Sequence, residues 1–348
     1  MKELTEPIIN WYSKYKRDLP WRKTNNPYLI WLSEIILQQT RVDQGMDYFL
    51  KFRSQFPTVT DLANAHEDEV LKLWQGLGYY SRARNLHAAA KYISHDLNGT
   101  FPNTYKEILL LKGVGPYTAA AIASFAFGEH QAVVDGNVYR VLSRLFDVDT
   151  PIDSTSGKKE FQKLADELLP ESDPGLFNQA IMEFGALQCT PKNPNCIECP
   201  LIEKCLAYKN QTIAERPIKQ GKIKQRNRYF YFLVLKKDNK VLVEKRDTSE
   251  IWKGLYQFPL IEKSEPTPIN NVLNSEFTLN NISMNKVSET VKHILSHQKL
   301  FAQFIHIDLS KTTVTLKENS QWVSENEFHE LAIPRLIDKY LEQTGSIF

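Results

Sequence analysis

The spacing of apolar residues divides the chain into two parts. Residues 1–205 carry apolar positions at helical intervals, and turn residues separate them into short segments. From about residue 229 the period changes to two, which predicts strands over Tyr229–Leu235 and Lys240–Lys245 around the turn at 237–239. These patterns predict a multidomain fold, with an all-α first domain and a mixed α/β second domain.

Helices of the first part follow local signals. Asn26 and Pro27 form an N-cap and a proline at the first helical position, which predicts a helix over Tyr28–Gln38. Residues 206–228 lose the helical pattern and gain alternating basic residues, which predicts a linker. Further helices are predicted at about 43–55, 67–75, 82–97, 104–110, 116–127, 136–146, 157–169 and 176–187.

Composition and charge exclude several classes of protein. The chain has 348 residues, of which 42% are hydrophobic and 24% charged, so disorder, collagen and coiled coil are excluded. No apolar run spans a membrane and the N-terminus lacks a signal-peptide core, so we expect a cytoplasmic protein without a membrane partner. Net charge is −3 over residues 1–215 and +5 over 216–348, so nucleic-acid binding must rest on local groups.

All four cysteines lie within 17 residues, at Cys189, Cys196, Cys199 and Cys205. A cytosolic chain does not rely on disulfides, and four thiolates on one loop suit zinc or a [4Fe–4S] cluster. Zinc ribbons usually carry two C-x2-C pairs, whereas this C-x6-C-x2-C-x5-C segment has one. The spacing therefore favours a [4Fe–4S] cluster over 189–205, and a redox disulfide pair is the remaining alternative.

Residues 104–127 are predicted to form a helix, a glycine turn and a second helix. The first helix ends at Lys112, the turn contains Gly113 and Gly115, and Pro116 starts the second helix. Glycines let backbone N–H groups approach a ligand, and a helix N-terminus carries partial positive charge. The hairpin therefore suits one DNA phosphate, with an ordinary packing corner as the alternative.

Two carboxylates stand in unusual contexts. Glu34 lies in the apolar segment WLSEIILQQT, where burial would favour its protonated form, as a general acid requires. Asp135 lies between an apolar run and a predicted helix. Together they suit glycosidic cleavage, in which one carboxyl protonates the leaving group and the other stabilises the sugar cation. A solvated helix position for Glu34 and an N-cap role for Asp135 are the alternatives.

Four motifs now stand in one order: WLSEIILQQT, LKGVGPYT, VVDGNV and the four-cysteine segment. This order resembles the helix–hairpin–helix DNA glycosylases with an iron–sulfur cluster, and among them the A/G-specific adenine glycosylases of the MutY family. The resemblance covers residues 5–210 strongly and 228–345 more weakly. It implies an all-α glycosylase core over 1–205, a basic linker over 206–228 and a C-terminal α/β Nudix-like domain over 229–348.

The resemblance also implies a mechanism. Glu34 would protonate adenine at N7, Asp135 would stabilise the oxocarbenium ion or bond transiently to C1′, and Asn137 would help to orient it. Tyr117 stands where endonuclease III relatives have the lysine that forms a Schiff base with the sugar. Without an amine there, we expect a monofunctional glycosylase, with Tyr117 contacting Glu34.

Further residues match family positions around the extruded base and the duplex. Core packing is the alternative for the apolar and aromatic ones. Gln39 and Tyr79 are expected to wedge into the duplex near the orphaned 8-oxoguanine. The adenine pocket is expected at Arg17, Trp21, Arg22, Leu37 and Glu183, and the DNA contacts at Gln39, Thr40, Tyr79, Gly113, Gly115, Ser296 and His297.

The second domain is expected to recognise DNA rather than to hydrolyse nucleotides. True Nudix hydrolases need a glutamate-rich metal-binding box, and the segment after Tyr256, QFPLIEKSEPTPINN, lacks one. The lesion-reading loop of the family is commonly F-S-H, and this chain has Leu295, Ser296 and His297 there. Ser296 and His297 match, whereas Leu295 departs and leaves the packing of the loop open.

The expected partner is double-stranded DNA with adenine opposite 8-oxoguanine or guanine, bound by a monomer at the bacterial nucleoid. Protein partners remain unidentified. One alternative is an endonuclease III-like or thymine-mismatch glycosylase. Tyr117 disfavours its lyase version, and the C-terminal domain disfavours both versions. Another is a non-catalytic iron–sulfur damage sensor, which the presence of both Glu34 and Asp135 disfavours.

Overall fold

The computed structural model describes residues 2–221, 225–247, 251–274, 283–309 and 316–345. The chain forms two compact units, the first made of Met1–Asn64 and Ala88–Gly221, the second of Ala65–His87 and Lys222–Phe348. The second unit thus includes one segment of the helical part as well as the C-terminal part. Periodicity along the chain does not report which partner a helix packs against, so the sequence did not predict this grouping.

Helices build residues 2–221, as the apolar spacing predicts. Asn26 caps the second helix, because its side-chain oxygen accepts hydrogen bonds from the backbone N–H groups of Tyr28 and Leu29. In chain order the helices are α1 (Lys2–Tyr15), α2 (Pro27–Leu37), α3 (Val42–Gln55), α4 (Val59–Asn64), α5 (Glu67–Leu73), α6 (Ser81–His95), α7 (Tyr105–Ile108), α8 (Pro116–Phe127), α9 (Gly136–Leu145), α10 (Thr155–Leu168), α11 (Pro174–Leu187) and α12 (Leu206–Lys209), with 3-10 turns at Pro20–Arg22 and Ile202–Lys204.

The core of the first unit lies between α1, α9, α10 and α11. Trp11, Leu142, Phe161 and Phe184 are buried together there, and Cys189 packs against the same cluster. Helix α11 passes close to the start of α9 because residue 185 is glycine: a Cβ atom there would lie 2.8 Å from the backbone oxygen of Asn137. This close approach brings side chains of α11 beside the N-terminus of α9.

An eight-stranded mixed sheet forms the C-terminal part among its described residues. The elements are β1 (Arg226–Lys237), β2 (Lys240–Lys245), β3 (Tyr256–Gln257), β4 (Leu260–Lys263), α13 (Ile269–Asn274), β5 (Ser283–Val287), β6 (Val291–Ile294), β7 (Gln298–Asp308), β8 (Ser320–Val323), α14 (Glu325–Glu330) and α15 (Arg335–Thr344). Strand β1 lies at the centre of the sheet, antiparallel to β2 and β4. It is parallel to β7, with Arg226 opposite Gln298 and Lys236 opposite Asp308.

The structure differs from the predicted linker over 206–228 at both ends. Helix α12 begins at Leu206, and β1 already starts at Arg226. Arg228 is buried, and its guanidinium pairs with Glu262, 2.6 Å away on the neighbouring strand. Part of the basic pattern that suggested a solvated linker therefore belongs to the sheet.

Polar contacts join residues 65–87 to the C-terminal part within the second unit. The ammonium group of Lys245 lies 2.6 Å from a carboxylate oxygen of Asp68, and Lys72 donates to the backbone oxygen of Leu331 at 3.1 Å. These contacts hold α5 against the strands and helices that follow residue 225. Among the described residues, no helix combines the length and the apolar character needed to cross a bilayer.

Candidate active site

A cleft of about 760 Å³ opens in the first unit. Its volume is in the range of small-molecule pockets, which suits a single nucleobase. Its walls come from the 3-10 turn at Pro20–Arg22, from α2, from the glycine turn before α8 and from the facing parts of α9 and α11. It brings together thirteen of the predicted site residues: Arg17, Trp21, Arg22, Glu34, Leu37, Gln39, Thr40, Gly113, Gly115, Tyr117, Asp135, Asn137 and Glu183.

Glu34 is a buried acid in the wall of the cleft. Its side chain lies on α2 and only 8% of the residue is exposed, so a solvated helix position is wrong. Burial raises the pKa of Glu34 from its ordinary 4.5 to about 7, although the hydroxyl of Tyr117 donates a hydrogen bond at 2.8 Å that lowers it. Roughly half of the Glu34 side chains are therefore protonated at pH 7, and a larger share below it.

Asp135 is the N-cap of α9 and also forms part of the wall of the cleft. One carboxylate oxygen accepts hydrogen bonds from the backbone N–H groups of Asn137 at 2.8 Å and Val138 at 2.7 Å. The other accepts from the side-chain amide of Asn137 at 2.8 Å. Burial raises the pKa of Asp135, and these hydrogen bonds oppose that effect.

The environments of the two carboxyl groups assign them different protonation states. Asp135 accepts three hydrogen bonds, which favour its ionised form, whereas Glu34 accepts one and is buried among apolar residues. The negative charge of Asp135 further raises the pKa of Glu34. Glu34 and Asp135 therefore form a pair in which one carboxyl group can donate a proton and the other accepts hydrogen bonds that favour its ionised form, the arrangement that separates acid and stabiliser in glycosidic cleavage.

Glu183 and two arginines form a second charged group in the cleft. Arg17 and Arg22 both pair with Glu183, with shortest distances of 2.6 Å and 2.8 Å. Burial raises the pKa of Glu183, but the hydrogen bonds from both arginines outweigh it and bring the pKa to about 2. Glu183 is therefore ionised, and its paired arginines form a rigid polar wall on that side of the cleft.

The glycine turn has the geometry of a backbone cradle. Gly113 has φ +82°, a left-handed conformation that favours glycine, and Gly115 caps α8 with open space where a Cβ atom would be. Ile108 and Leu111 are buried and anchor the turn from the preceding residues. Backbone N–H groups at the start of α8 are thus free of side-chain crowding on the side of Gly115.

Sequence reasoning missed Arg140. Its buried guanidinium donates to the side-chain oxygen of Asn137 at 2.8 Å and to the backbone oxygens of Gly185 at 2.6 Å and Cys189 at 2.7 Å. Arg140 therefore fixes the amide that binds Asp135 and connects it to the cysteine segment. The available signal was a pair of arginines one turn apart, Arg140 and Arg144, among apolar positions of a single helix.

The four cysteines are half-buried and lie near one another. Burial raises the pKa of Cys199 to about 11, and repulsion from the other three thiolates adds to it. Arg144 is buried beside them and donates to the sulfur of Cys189 at 3.4 Å and to the backbone oxygen of Thr190 at 2.7 Å. In the part of the chain that the structure describes, no three such donors are close enough to bind a single metal ion. A four-iron cube differs from such a site, because each thiolate binds its own iron.

Three predicted site residues, Tyr79, Ser296 and His297, lie in the second unit instead of the cleft. Ser296 and His297 are exposed in the turn between β6 and β7, and Leu295 is half-buried. The hydroxyl group of Ser296 is hydrogen bonded to that of Tyr79, and both residues belong to this unit. Gln225 donates to the backbone oxygen of Leu295 at 3.1 Å, which ties the turn to the start of β1.

The raised pKa of Glu34 predicts the pH dependence of any reaction in which it donates a proton. The protonated fraction falls as pH rises through about 7, so the single-turnover rate should decline above that pH. Tyr117→Phe removes a hydrogen bond that favours ionised Glu34, so the decline should move to higher pH. Single-turnover rates measured from about pH 5.5 to about pH 9, on both sides of the expected midpoint, test both effects. An unchanged profile in Tyr117→Phe would contradict this assignment of the acid.

Comparison with known proteins gives the class first. Residues 32–171 match the HhH-GPD superfamily of base excision DNA repair proteins, and residues 230–343 match the NUDIX domain. A thermostable thymine-DNA glycosylase of known structure is 32% identical, with a TM-score of 0.56 over 60% of this chain and 96% of that chain. An endonuclease III–DNA complex shares the fold, with 22% identity and a TM-score of 0.52 over 60% and 94% of the two chains. The fold and the cleft thus define a base excision DNA repair protein with a Nudix-like domain.

Relatives over nearly the whole chain then give the family. An adenine DNA glycosylase of Buchnera aphidicola (subsp. Baizongia pistaciae) is 36% identical over 97% of this chain and 95% of its own length. The adenine DNA glycosylase of Homo sapiens is 32% identical over 95% of this chain and 72% of its own length. The chain belongs to the adenine DNA glycosylase family. The predicted family and the predicted fold class, a helix–hairpin–helix core with a C-terminal Nudix-like domain, are confirmed.

Proposed function

We propose that the protein releases adenine from DNA by hydrolysing the N-glycosidic bond, with Glu34 as the acid and Asp135 as the stabilising carboxylate. The observation that carries this proposal is the pairing, in one cleft, of a buried acid with a pKa of about 7 and a carboxylate that accepts three hydrogen bonds. Family membership supports the same reaction.

The chemistry follows from the charges of the cleft. The target adenine must leave the base stack before a side chain can reach it. Glu34 donates its proton to N7, so that the base accepts the electron pair of the C1′–N9 bond as that bond breaks. The sugar becomes an oxocarbenium ion, which the negative charge of Asp135 stabilises. Water then adds to C1′ and gives up a proton to Glu34, which the first step left ionised. Asn137 and Arg140 hold Asp135 in place throughout.

The polar wall of the cleft suits recognition of the extruded base. Arg17 is partly exposed, whereas Glu183 is buried and fully paired. Leu37 and Trp21 line the same cleft with apolar surface on which a purine ring can lie. We assign these residues, with Arg22, to the adenine pocket.

The structure disfavours strand cleavage through a Schiff base. The residue at the position of the lyase lysine is Tyr117, and its hydroxyl already donates to Glu34 at 2.8 Å. A phenol cannot form an imine with the sugar, and burial beside two carboxyl groups raises its pKa well above the ordinary range. The enzyme is therefore proposed to be monofunctional.

The proposed substrate is adenine opposite 8-oxoguanine or guanine in duplex DNA. The excised base is the same in both, so discrimination must come from groups that contact the opposite strand. Ser296 and His297 are exposed polar residues, and Ser296 is hydrogen bonded to Tyr79, which is 46% exposed. We assign Ser296, His297, Tyr79 and Gln39 to the region of the orphaned base on the opposite strand, and Thr40, Gly113 and Gly115 to the DNA at the mouth of the cleft.

Two duplexes that differ only in the base opposite adenine test the substrate. Wild type at limiting enzyme should release adenine faster opposite 8-oxoguanine than opposite guanine. Ser296→Ala combined with His297→Ala should reduce that ratio by about 5- to 100-fold, the range for one or more lost hydrogen bonds to a base. The rate at saturating enzyme should change less, because the catalytic pair is intact. Equal reduction on both duplexes would show that the loop binds DNA without reading the lesion.

We propose a [4Fe–4S] cluster bound by Cys189, Cys196, Cys199 and Cys205. The support is the donor set itself: four half-buried thiols that influence one another electrostatically, next to the buried guanidinium of Arg144. When bound, the cluster supplies charge and rigidity to this loop and takes no part in hydrolysis. Iron and zinc analysis of the purified protein distinguishes the cluster from a zinc site. We also propose a monomer that acts in the cytoplasm on nucleoid DNA.

A further inference from the structure

Arg82 lies behind the exposed ring of Tyr79. Its guanidinium is 5.8 Å from the centre of the Tyr79 ring and 5.1 Å from the centre of the Trp74 ring. It also donates to the backbone oxygens of Leu77 and Gly78, both at 3.3 Å. One side chain therefore contacts the Tyr79 ring, a second ring that is fully buried, and the backbone immediately before Tyr79.

The backbone at Tyr79 needs such support. Tyr79 has φ +47°, a left-handed conformation that a residue with a Cβ atom adopts reluctantly. Trp74 fixes the preceding residue, because its indole N–H donates to the backbone oxygen of Gly78 at 3.0 Å. The hydroxyl of Tyr79 is hydrogen bonded to Ser296, so the ring is held at its tip as well.

We propose that Arg82 is a positioning residue for lesion recognition, which holds the Tyr79 ring in the orientation at which its hydroxyl reaches Ser296. This inference rests on the proposed preference for adenine opposite 8-oxoguanine. An aromatic side chain that enters a base stack binds more tightly if it is already ordered, because less conformational entropy is lost on binding. Arg82 supplies that order through a cation–π contact on one side and hydrogen bonds to the backbone on the other.

The charge needed for this contact is present at neutral pH. Burial lowers the pKa of Arg82 to about 10, so the guanidinium remains protonated at neutral pH. Two other possible roles of Arg82 predict different results from a positioning role. A contact with a DNA phosphate would aid all duplexes equally. A purely structural role for the loop would act whether or not residue 79 is aromatic.

A double-mutant cycle with Tyr79 separates these roles. Adenine release is measured at limiting enzyme on the 8-oxoguanine:adenine and guanine:adenine duplexes for wild type, Arg82→Met, Tyr79→Leu and the double variant. Arg82→Met should reduce the preference for the 8-oxoguanine duplex by about 3- to 10-fold, the range of a partly exposed cation–π contact. In the Tyr79→Leu background, the same change should leave the preference unaltered. Arg82→Lys keeps a cation and should recover part of the loss.

Arg84→Gln is the matched control. Arg84 lies on the same helix and donates to the backbone oxygen of Lys253 at 2.6 Å, away from the Tyr79 ring. Its loss should leave the preference at the wild-type ratio. An equal loss on both duplexes in Arg82→Met, or the same loss with and without Tyr79, would overturn the proposal. A wild type without any preference would instead overturn the proposed substrate. Thermal unfolding of each variant confirms that it is folded.

Discussion

Glu34→Gln should lower the rate of adenine release by about 10²- to 10⁴-fold, the usual contribution of general acid catalysis. The substitution keeps the shape of the side chain, and an amide oxygen still accepts the hydrogen bond of Tyr117. It removes only the proton that the leaving base requires. Single-turnover rates at saturating enzyme measure the loss, and DNA binding in a gel-shift or anisotropy assay should remain near wild type.

The same substitution should make the protein more stable at high pH. A carboxyl group whose pKa is raised by folding contributes stability that is fully present below about pH 4.5 and lost as pH rises to about 7. A rise from 4.5 to about 7 corresponds to about 3 kcal/mol. Relative to wild type, Glu34→Gln should therefore gain free energy of unfolding as pH rises from 5 to 8, as chemical denaturation at several pH values would show.

Glu160→Gln is the control for both measurements, because Glu160 is exposed on α10 and distant in sequence from the cleft residues. It should change neither the rate nor the pH dependence of stability. A wild-type rate in Glu34→Gln would exclude Glu34 as the acid. A low rate without the pH-dependent gain in stability would mean that Glu34 is not held protonated by burial.

Local signals in the sequence predicted the helices well. The Asn26–Pro27 signal identified the start of α2 to within one residue, and the strand over Lys240–Lys245 has the predicted ends. Both rest on interactions between neighbours along the chain, such as a cap or alternation across a sheet. The family motifs likewise named the residues that line the cleft, because each motif has a fixed position on its helix or turn.

Contacts between distant segments could not be predicted from local patterns in the sequence. Arg140 looked like one of two arginines on an amphipathic helix, and only the folded chain brings it to Asn137, Gly185 and Cys189. The N-cap and cleft interpretations of Asp135 looked like alternatives, but one carboxylate satisfies both. Such dual roles depend on the packing of α11 against α9, which a local pattern does not report.

The grouping of residues 65–87 with the C-terminal part changes how lesion recognition should be tested. Deletion of the chain after residue 221 would remove the partners of Lys72 and Asp68, which lie on Leu331 and Lys245. It would also remove Ser296, the partner of Tyr79. A truncated protein would therefore lose the proposed lesion-recognition residues and would also expose α5. Point substitutions at Ser296, His297 or Arg82 leave the packing of α5 in place.

Asp135→Asn should reduce adenine release by roughly 10²- to 10³-fold, comparable with removal of one preorganised electrostatic partner of a transition state. Asparagine is as good an N-cap as aspartate, so the hydrogen bonds to the N–H groups of Asn137 and Val138 should persist. The substitution thus removes the charge that stabilises the oxocarbenium ion and leaves the cap of α9. The hydrogen bond from the Asn137 side-chain amide is lost, because an NH2 group replaces the oxygen that accepts it. Single-turnover rates should fall, while the free energy of unfolding should fall less than in a variant that also loses the cap.

Two further variants separate the charge from the cap. Asp135→Ala removes both, so it should lose activity and also about 1 kcal/mol of stability. Ser154 caps α10, because its hydroxyl accepts a hydrogen bond from the N–H of Gly157 at 2.9 Å. The Ser154→Ala variant loses this cap, so it should lose similar stability and keep normal activity. If Asp135→Asn kept the wild-type rate while Asp135→Ala lost it, the role of Asp135 would be to build the N-terminus of α9. Loss of activity in both variants, with the larger loss of stability in Asp135→Ala, assigns the catalytic effect to the negative charge.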